Sequence, residues 1–255
     1  MLGKDSISLI FPCYNEEKNF HKGVLDEIKE LTENDKRFKE VIIVDDGSSD
    51  NSRNMIRDDY MPRFPKLKLI ENNHQGKAFA LITGIKGASG QYVLLSDIDL
   101  ATPLSEAEKL IDEADRDFKI IIGSRSTRRE GAPIIRKIMS AAYIHIRSLF
   151  VNLQGVKDTQ CGFKLYEKEA ALRILDKLQV FKRKRRKVKG SVVAAGFDLE
   201  FLFIASKLHY KIKEVPVVWH HVDTENVLYF VQDGLRTLKD ILLMKYYDLT
   251  GKYNT

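Results

Sequence analysis

Four short polar clusters stand out in the sequence, each directly behind an apolar run of strand type. Pro12-Cys13-Tyr14-Asn15-Glu16-Glu17 follows residues 7–11, and Asp45-Asp46-Gly47-Ser48-Ser49-Asp50 follows residues 41–44. Ser96-Asp97-Ile98-Asp99 follows residues 92–95, and Gly123-Ser124-Arg125 follows residues 120–122. Asp97-x-Asp99 suits a hard divalent cation. Mg²⁺ or Mn²⁺ is commonly held by one or two carboxylates plus substrate phosphate oxygens. An isolated Asp-x-Asp occurs in many acidic turns, but this one ends an apolar strand and has the Asp45-Asp46 pair for company. One such cluster is explained by a helix cap; four behind four strands are not, and they point to a metal–diphosphate site. Gly76-Lys77 opens a helical pattern whose amides and lysine suit a phosphate.

Other chemistries find less support. Neither Gly-x4-Gly-Lys-Ser/Thr nor Gly-x-Gly-x-x-Gly is present, which argues against a P-loop nucleotidase and a dinucleotide-binding dehydrogenase. Cys13 and Cys161 are the only cysteines, and they form neither a zinc spacing nor a disulfide framework. They favour a reducing compartment. His220-His221 follows a strand pattern and reads as an ordinary surface or core feature.

The elements that must position these clusters alternate. Strand runs at 7–11, 41–44, 67–70, 92–95 and 120–122 are separated by helical patterns at 17–31, 49–60, 76–87 and 105–114. The second helix has Ser48 or Ser49 as its expected cap. This order predicts an α/β fold, a mostly parallel sheet with helices on both faces. Ligands in such sheets bind beyond the carboxyl ends of the strands. Farther on, the patterns predict a helix over 134–153, a strand over 163–166, a helix over 168–178, a helix over 198–208 and a strand over 212–218. A last helix follows, over about 226–247. The chain reads as one domain: a nucleotide-binding half (1–125), an acceptor half (126–225) and a C-terminal amphipathic helix (226–255).

The 255 residues carry 42 Lys and Arg against 36 Asp and Glu, a net charge of +6. Seven of the basic residues lie between Lys182 and Lys189, and the rest of the chain sums to −1. Such a patch meets anionic lipid, a phosphate-bearing substrate or nucleic acid, or is simply a solvated loop. Nucleic acid is not expected, because the aromatic–basic interleaving of single-strand binders is lacking. No apolar stretch reaches the ~18–20 residues of a spanning helix. The last helix repeats Leu228, Val231, Leu235, Leu238, Leu242 and Tyr246 at three- and four-residue steps, with Arg236, Lys239 and Lys245 among them. That stripe faces either a core or a membrane interface.

With these motifs the chain resembles the inverting GT-A glycosyltransferases of family 2, and among them the polyprenyl-phosphate glycosyltransferases. Residues 11–17, 44–50, 96–100 and 123–125 carry the general likeness. Asp158-Thr159-Gln160-Cys161-Gly162-Phe163-Lys164-Leu165-Tyr166 and Glu214-Val215-Pro216-Val217-Val218-Trp219 are similar to the dolichyl-phosphate β-glucosyltransferases. Two departures stand out. Eukaryotic members begin with a membrane anchor that these residues do not include. Many mannose-transferring relatives have Asp-Ala-Asp and Ser-Gly-Phe where this chain has Asp-Ile-Asp and Cys-Gly-Phe, which favours glucose.

The resemblance implies roles. Pro12, Tyr14, Glu16, Asp45, Asp46, Lys77 and Asp97 would bind the nucleotide sugar, with UDP-glucose expected. Asp97 and Asp99 would hold Mg²⁺ or Mn²⁺. Arg125, Arg128 and Arg136 (Arg129 in reserve) and Asp198 would bind the acceptor, a polyprenyl phosphate that is its own nucleophile. Asp99, Arg125, Arg136 and Asp158 would form the catalytic set. Among Asp158, Asp198 and Glu200 the sequence leaves open which acts, and Asp198 also reads as a helix cap. The product would be a β-linked lipid phosphate sugar, made by a peripheral protein on the cytoplasmic face of a membrane. Mannose from GDP-mannose, a soluble glycan acceptor, and a non-catalytic nucleotide-sugar or membrane-binding module stand as alternatives.

Overall fold

The structure is a computed structural model. It describes residues 3, 6–114, 116–125, 151, 153, 155–183, 195–220 and 227–253. Residues 134–150, Arg128, Arg129, Arg136, His221 and the basic run beyond Arg183 lie outside the described residues, as do the side chains of 227–236.

Seven strands form one sheet: β1 (Ile7–Cys13), β2 (Phe38–Asp45), β3 (Leu67–Glu71), β4 (Tyr92–Leu95), β5 (Ile120–Arg125), β6 (Lys164–Glu167) and β7 (Ile212–Val217). Their order is β3-β2-β1-β4-β6-β5-β7. All pairings are parallel except those of β6, which runs antiparallel between β4 and β5. The helices are α1 (Glu17–His21), α2 (Val24–Asn34), α3 (Ser52–Asn54), α4 (Lys77–Gly87), α5 (Ala107–Ala114), α6 (Lys168–Asp176), α7 (Ala195–Lys207) and α8 (Val227–Leu249). Strand alternation divides the core. Ile10, Ile42 and Val44 face α4, α6 and α7, whereas Leu9, Phe11, Val41 and Ile43 face α2 and α5. Both faces are covered, which is why β2 and β4 are apolar without alternation.

Several expected boundaries move for local reasons. The helix expected over 17–31 breaks at Gly23, whose φ of 85° is left-handed and open to glycine at little cost. The helix expected to be capped by Ser48 or Ser49 begins instead at Ser52 and passes into a π-helical turn over Met55–Tyr60. Both serines are used elsewhere: the Asn15 amide donates to Ser48 Oγ (2.9 Å) and the Ser49 amide to Asn15 Oδ1 (2.8 Å). The first turn ahead of α5 is a 3-10 turn over Leu104–Glu106. Asp198 is no cap, because α7 already starts at Ala195.

Among the described side chains of α8, Ile241, Met244 and Tyr247 pack into the core, while Leu242 and Tyr246 of the expected stripe are 50% and 58% exposed. Leu249, at 76%, extends that outer face. No helix among the described residues is long and apolar enough to cross a membrane.

Buried polar ties fix the ends of the elements. Glu200 in α7 is fully buried and accepts the amides of Gln179 (2.7 Å), Val180 (2.8 Å) and Phe181 (2.9 Å), and the Tyr253 hydroxyl (2.6 Å). At the opposite edge of the sheet from the polar clusters, Glu40 in β2 accepts Ser8 Oγ (2.6 Å) and the Ser89 amide (2.6 Å), and pairs with Lys68 (2.5 Å). Burial alone would raise the Glu40 pKa; Lys68, Ser8 and Ser89 outweigh it and hold the group at about 2, against 4.5 when free. A carboxylate with a depressed folded pKa stabilises fully above about pH 4.5, and that stability is lost as pH falls toward 2. Glu40→Gln is therefore expected to flatten the acid limb of the stability curve by roughly 2–3 kcal/mol. Urea midpoints from pH 5.5 to 2.5 check this; parallel limbs for the two proteins would refute it.

Candidate active site

Because β1, β2, β4 and β5 are parallel, their carboxyl ends share one edge of the sheet. The antiparallel β6 starts at that same edge, so residues 158–164 arrive there too. The β1 and β2 loops are stitched together first. Asn15 Oδ1 accepts the amides of Ser49 and Asp50, the Glu16 amide donates to Ser52 Oγ (2.8 Å), and the Asp46 amide donates to the Cys13 carbonyl (2.8 Å). Pro12 lies in β1 opposite Val44. Asp45 is fully buried beneath this loop, gripped by Arg53 Nη2 (2.6 Å) and Nε (2.9 Å).

Asp46 reaches the opening of α4. It accepts the amides of Gln75 (3.0 Å) and Gly76 (2.6 Å) and contacts His74 Nδ1 (3.0 Å). The His74 ring is thereby fixed, and Tyr14 stacks on it with centroids 4.2 Å apart and planes 17° apart. This is a flat aromatic step beside the strand ends, the type of surface on which a nucleobase stacks. His74 carries no motif of its own in the sequence; its place ahead of Gly76-Lys77 is the one local signal that could point to it.

Next to the step stand the acids. Lys77, the first residue of α4, pairs with Asp97. Burial works against the Asp97 carboxylate, but Lys77, with Lys164 and Arg125 farther off, keeps its pKa below the usual range. Burial likewise opposes the Lys77 ammonium, and Asp97, Asp198 and Asp99 overcome it. Asp99 and Glu16 shift the other way. Burial raises the Asp99 pKa, and Asp97 adds to this against the Ala101 amide donating to Oδ1 (3.0 Å). Burial raises that of Glu16 as well, with Asp99 and Asp97 adding to it. Carboxylates that crowd one another in this way accommodate a cation. Among the described residues no three acid, histidine or cysteine side chains already form a metal cage. Two carboxylates, Asp97 and Asp99, have the chemistry to hold Mg²⁺ or Mn²⁺ if substrate oxygens complete the set, which is how these ions are commonly bound beside phosphates. The residues present fit such an ion.

Gly162 backs this site. A Cβ there would lie 2.5 Å from Asp97 Oδ2, so any other residue would push the acid from its place or the 158–164 loop away from it. A small pocket beside it is lined by Lys77, Gln160, Gly162, Lys164, Phe197 and Asp198. Lys164, 2% exposed, pairs with Asp198 across it. Lys164 stands in the segment that carries the sequence likeness, yet a lysine in a strand pattern gives no sign that it will be buried.

On the far side, Arg125 at the end of β5 and Asp158 form a bidentate pair, Nε–Oδ2 2.8 Å and Nη2–Oδ1 2.9 Å. The Arg125 amide also donates to Oδ2 (3.1 Å), as does the Gln160 amide to Oδ1 (3.0 Å). Burial opposes both charges, but each partner outweighs it: Asp158 is held below its ordinary pKa and Arg125 above its own. The guanidinium also lies 5.6 Å from the centre of the Trp219 ring. Asp158 takes the Nε/Nη2 edge, and Nη1 is engaged by no described residue. The structure thus gathers Tyr14, Glu16, Asp46, Lys77, Asp97, Asp99, Arg125, Asp158 and Asp198 at one edge. Arg128 and Arg136 lie outside the described residues. Glu200 points away into its buried tie.

Known proteins resemble this chain in sequence and in fold. The family model described as glycosyl transferase family 2 matches residues 8–175. Among curated proteins, the dolichyl-phosphate beta-glucosyltransferase of Saccharomyces cerevisiae is 28% identical, over 97% of this chain and 76% of its own length. That of Dictyostelium discoideum is 31% identical over 96% of the chain and 75% of its length, and the human enzyme 29% over 97% and 77%. Among solved structures, glucosyl-3-phosphoglycerate synthase from Mycobacterium tuberculosis in complex with uridine diphosphate superposes with a TM-score of 0.67. It is 19% identical and covers 95% of this chain and 80% of that one. The same synthase with Mn²⁺, UDP-glucose and phosphoglyceric acid gives a TM-score of 0.65 at 17% identity, covering 95% and 80%. At these identities the structural likeness establishes the GT-A fold.

Proposed function

Because the chain belongs to glycosyl transferase family 2, we propose that it moves glucose from UDP-glucose to a dolichyl-type polyprenyl phosphate, with inversion at the sugar. The observation that carries this reading is the likeness to dolichyl-phosphate beta-glucosyltransferases over nearly the whole chain. The arrangement at the strand ends supports it. The Tyr14–His74 step takes the base, Glu16 lies near the ribose, and Lys77 faces the diphosphate. Asp97 and Asp99 would hold Mg²⁺ or Mn²⁺. When bound, such an ion supplies Lewis-acid neutralisation of the charge that grows on the leaving diphosphate.

The acceptor needs no base of its own. A phosphate monoester has its second pKa near ~6 and is largely dianionic at pH 7. Arg125, held flat by Asp158 and Trp219, presents Nη1 to that dianion. A phosphate oxygen forms the new bond to the anomeric carbon from the face opposite the diphosphate. The old carbon–oxygen bond breaks, and UDP departs with the electron pair. An α-linked donor thus gives a β-linked lipid phosphate glucose. Arg128, Arg136 and Asp198 complete the acceptor side in this reading, and Lys164 neutralises Asp198 so that the pocket does not repel the phosphate.

A lipid acceptor asks for contact with a bilayer. The exposed Leu242, Tyr246 and Leu249, flanked by Lys239, Lys245 and Lys252, support a peripheral attachment through α8. The buried, unpaired Cys13 and Cys161 suit the cytoplasmic side.

The test is direct. The protein is incubated with Mg²⁺, a short polyprenyl phosphate and labelled UDP-glucose or GDP-mannose in parallel, with Asp99→Ala as control. Label passing to the lipid phase from UDP-glucose alone, and lost in the variant, is expected. Transfer from GDP-mannose instead would overturn the donor, and an α-linked product would overturn the inversion.

A further inference from the structure

We infer that Glu214, on β7, is a positioning residue for the transfer reaction, acting through Asp158 on Arg125. The inference rests on the function proposed above. Glu214 Oε1 accepts the amide of Asp158 (2.7 Å), and Oε2 accepts the amide of Lys157 (2.8 Å). One carboxylate therefore holds two successive amides and fixes the peptide plane from which the Asp158 side chain springs. Asp158 in turn takes three donors of Arg125: Nε, Nη2 and the backbone amide.

The strand register makes this more than a loop tie. In the parallel β5–β7 pair, Glu214 lies opposite Ile122 and Val217 opposite Arg125. The same edge strand thus carries the anchor of Asp158 at one point. Just beyond its end it carries Trp219, whose ring centre lies 5.6 Å from the Arg125 guanidinium. Arg125 is held between an ion-pair partner and an aromatic face, and both depend on β7. The chain from 158 to 164 then runs past Gly162, against Asp97, so a shift at 157–158 is felt on the donor side as well.

A group that only stabilised the fold would lower stability and leave the chemistry of the folded protein alone. A positioning group changes turnover at constant donor binding. Glu214→Gln is the informative variant, because it keeps the shape and sets an NH2 against one of the two amides. Five quantities are measured on the full chain: kcat and KM with a short polyprenyl phosphate, UDP affinity by calorimetry, thermal stability, and the side-chain Nε–Hε signal of Arg125. That signal is assigned by its loss in Arg125→Lys. The expected result is a fall in kcat of about 10–100-fold, the usual loss when a supporting hydrogen-bond partner is removed. UDP affinity is expected to stay within about twofold, and the Arg125 Hε proton to exchange faster with water as its hold on Asp158 loosens. Glu214→Asp, a methylene shorter and unable to reach both amides, is expected to fall between the two. Unchanged kcat with an unchanged Arg125 signal would overturn the inference, as would equal losses in kcat, UDP affinity and thermal stability. If the wild-type protein makes no lipid product, the function proposed above fails, and the Arg125 signal still decides whether Glu214 governs the pair.

Discussion

Arg125→Ala is expected to lower kcat/KM for polyprenyl phosphate by about 10³-fold, the scale seen when a charge-stabilising donor is removed from a reacting centre. Three features make this loss large. Arg125 is mostly buried, its Nε/Nη2 edge is committed to Asp158, and Nη1 has no partner among the described residues. In the proposed reaction, removing it takes away the acceptor's fixed positive partner. It also strands the Asp158 carboxylate, whose side chain is 15% exposed and whose pKa now sits low chiefly because Arg125 outweighs its burial. An unpaired buried carboxylate takes up a proton instead. Asp158→Asn is therefore expected to lose nearly as much as Arg125→Ala. The double variant should lose little more than either single one, since the two groups act as a unit. Arg125→Lys keeps the charge but not the planar fork and is expected to recover only part of the activity. Initial rates for the four proteins, with UDP affinity as the control, decide the matter. Losses that simply multiply, or an Arg125→Ala enzyme within about tenfold of wild type, would break the argument.

The largest stability effect is expected at Glu200. Its carboxylate is fully buried and gathers three backbone amides and one phenol. Leucine in its place leaves those four donors without an acceptor in an apolar setting. The expected cost is about 3–5 kcal/mol, as for other buried charged networks broken from one side. For a chain of this size that corresponds to roughly 10 °C or more in Tm. Tyr253→Phe removes a single donor and is expected to cost only about 1–2 kcal/mol. Burial, and then Glu200, push the Tyr253 pKa far upward, so the phenol stays protonated and remains a donor across the ordinary pH range. Thermal unfolding followed by circular dichroism compares the variants. A Glu200→Leu protein within about 1 kcal/mol of wild type would show that water or a neighbour replaces the carboxylate.

These expectations divide unevenly between what the residues announce and what only packing reveals. The β-α order, the five N-terminal strands and the acid-rich strand ends were legible, because apolar runs of four or five residues followed by Asp, Gly and Ser clusters have few other readings. The antiparallel turn of β6 was not. Lys164-Leu165-Tyr166 has the composition of a strand in either direction, and nothing local sets its neighbour. Gly23 gives no break signal inside a helical spacing that continues on both sides of it. Ser48 and Ser49 have the residue type of caps, but Asn15, 33 positions earlier, recruits them instead. At the site, carboxylates and arginines in motifs were visible. The holding contacts were not, although three of the residues stand in the segments that carry the family likeness: His74 under Tyr14, Gly162 against Asp97, Lys164 on Asp198 and Glu214 behind Asp158. Each acts through a contact distant in sequence, and none has a periodicity that would betray it.

The place of β6 in the sheet bears on the birth of the protein. As the chain leaves the ribosome, β1 to β4 can pair at once, since their partners all lie within residues 7–95. Strand β5 follows but cannot dock, because its neighbours among the described strands are β6 and β7, which are still unmade. Until residue 167 emerges, β4 is a bare, fully apolar edge, and some 70 residues of chain must be synthesised before it is covered. At roughly 5–20 residues per second that interval lasts several seconds. An unpaired apolar edge of this kind is a template for the wrong partner. The segment that closes it, residues 158–167, is the same one that carries Asp158, Gly162 and Lys164 to the site. Nascent chains halted before residue 160 should therefore depend on chaperones far more than chains halted after 220, and the active site should appear in the same step that seals the sheet.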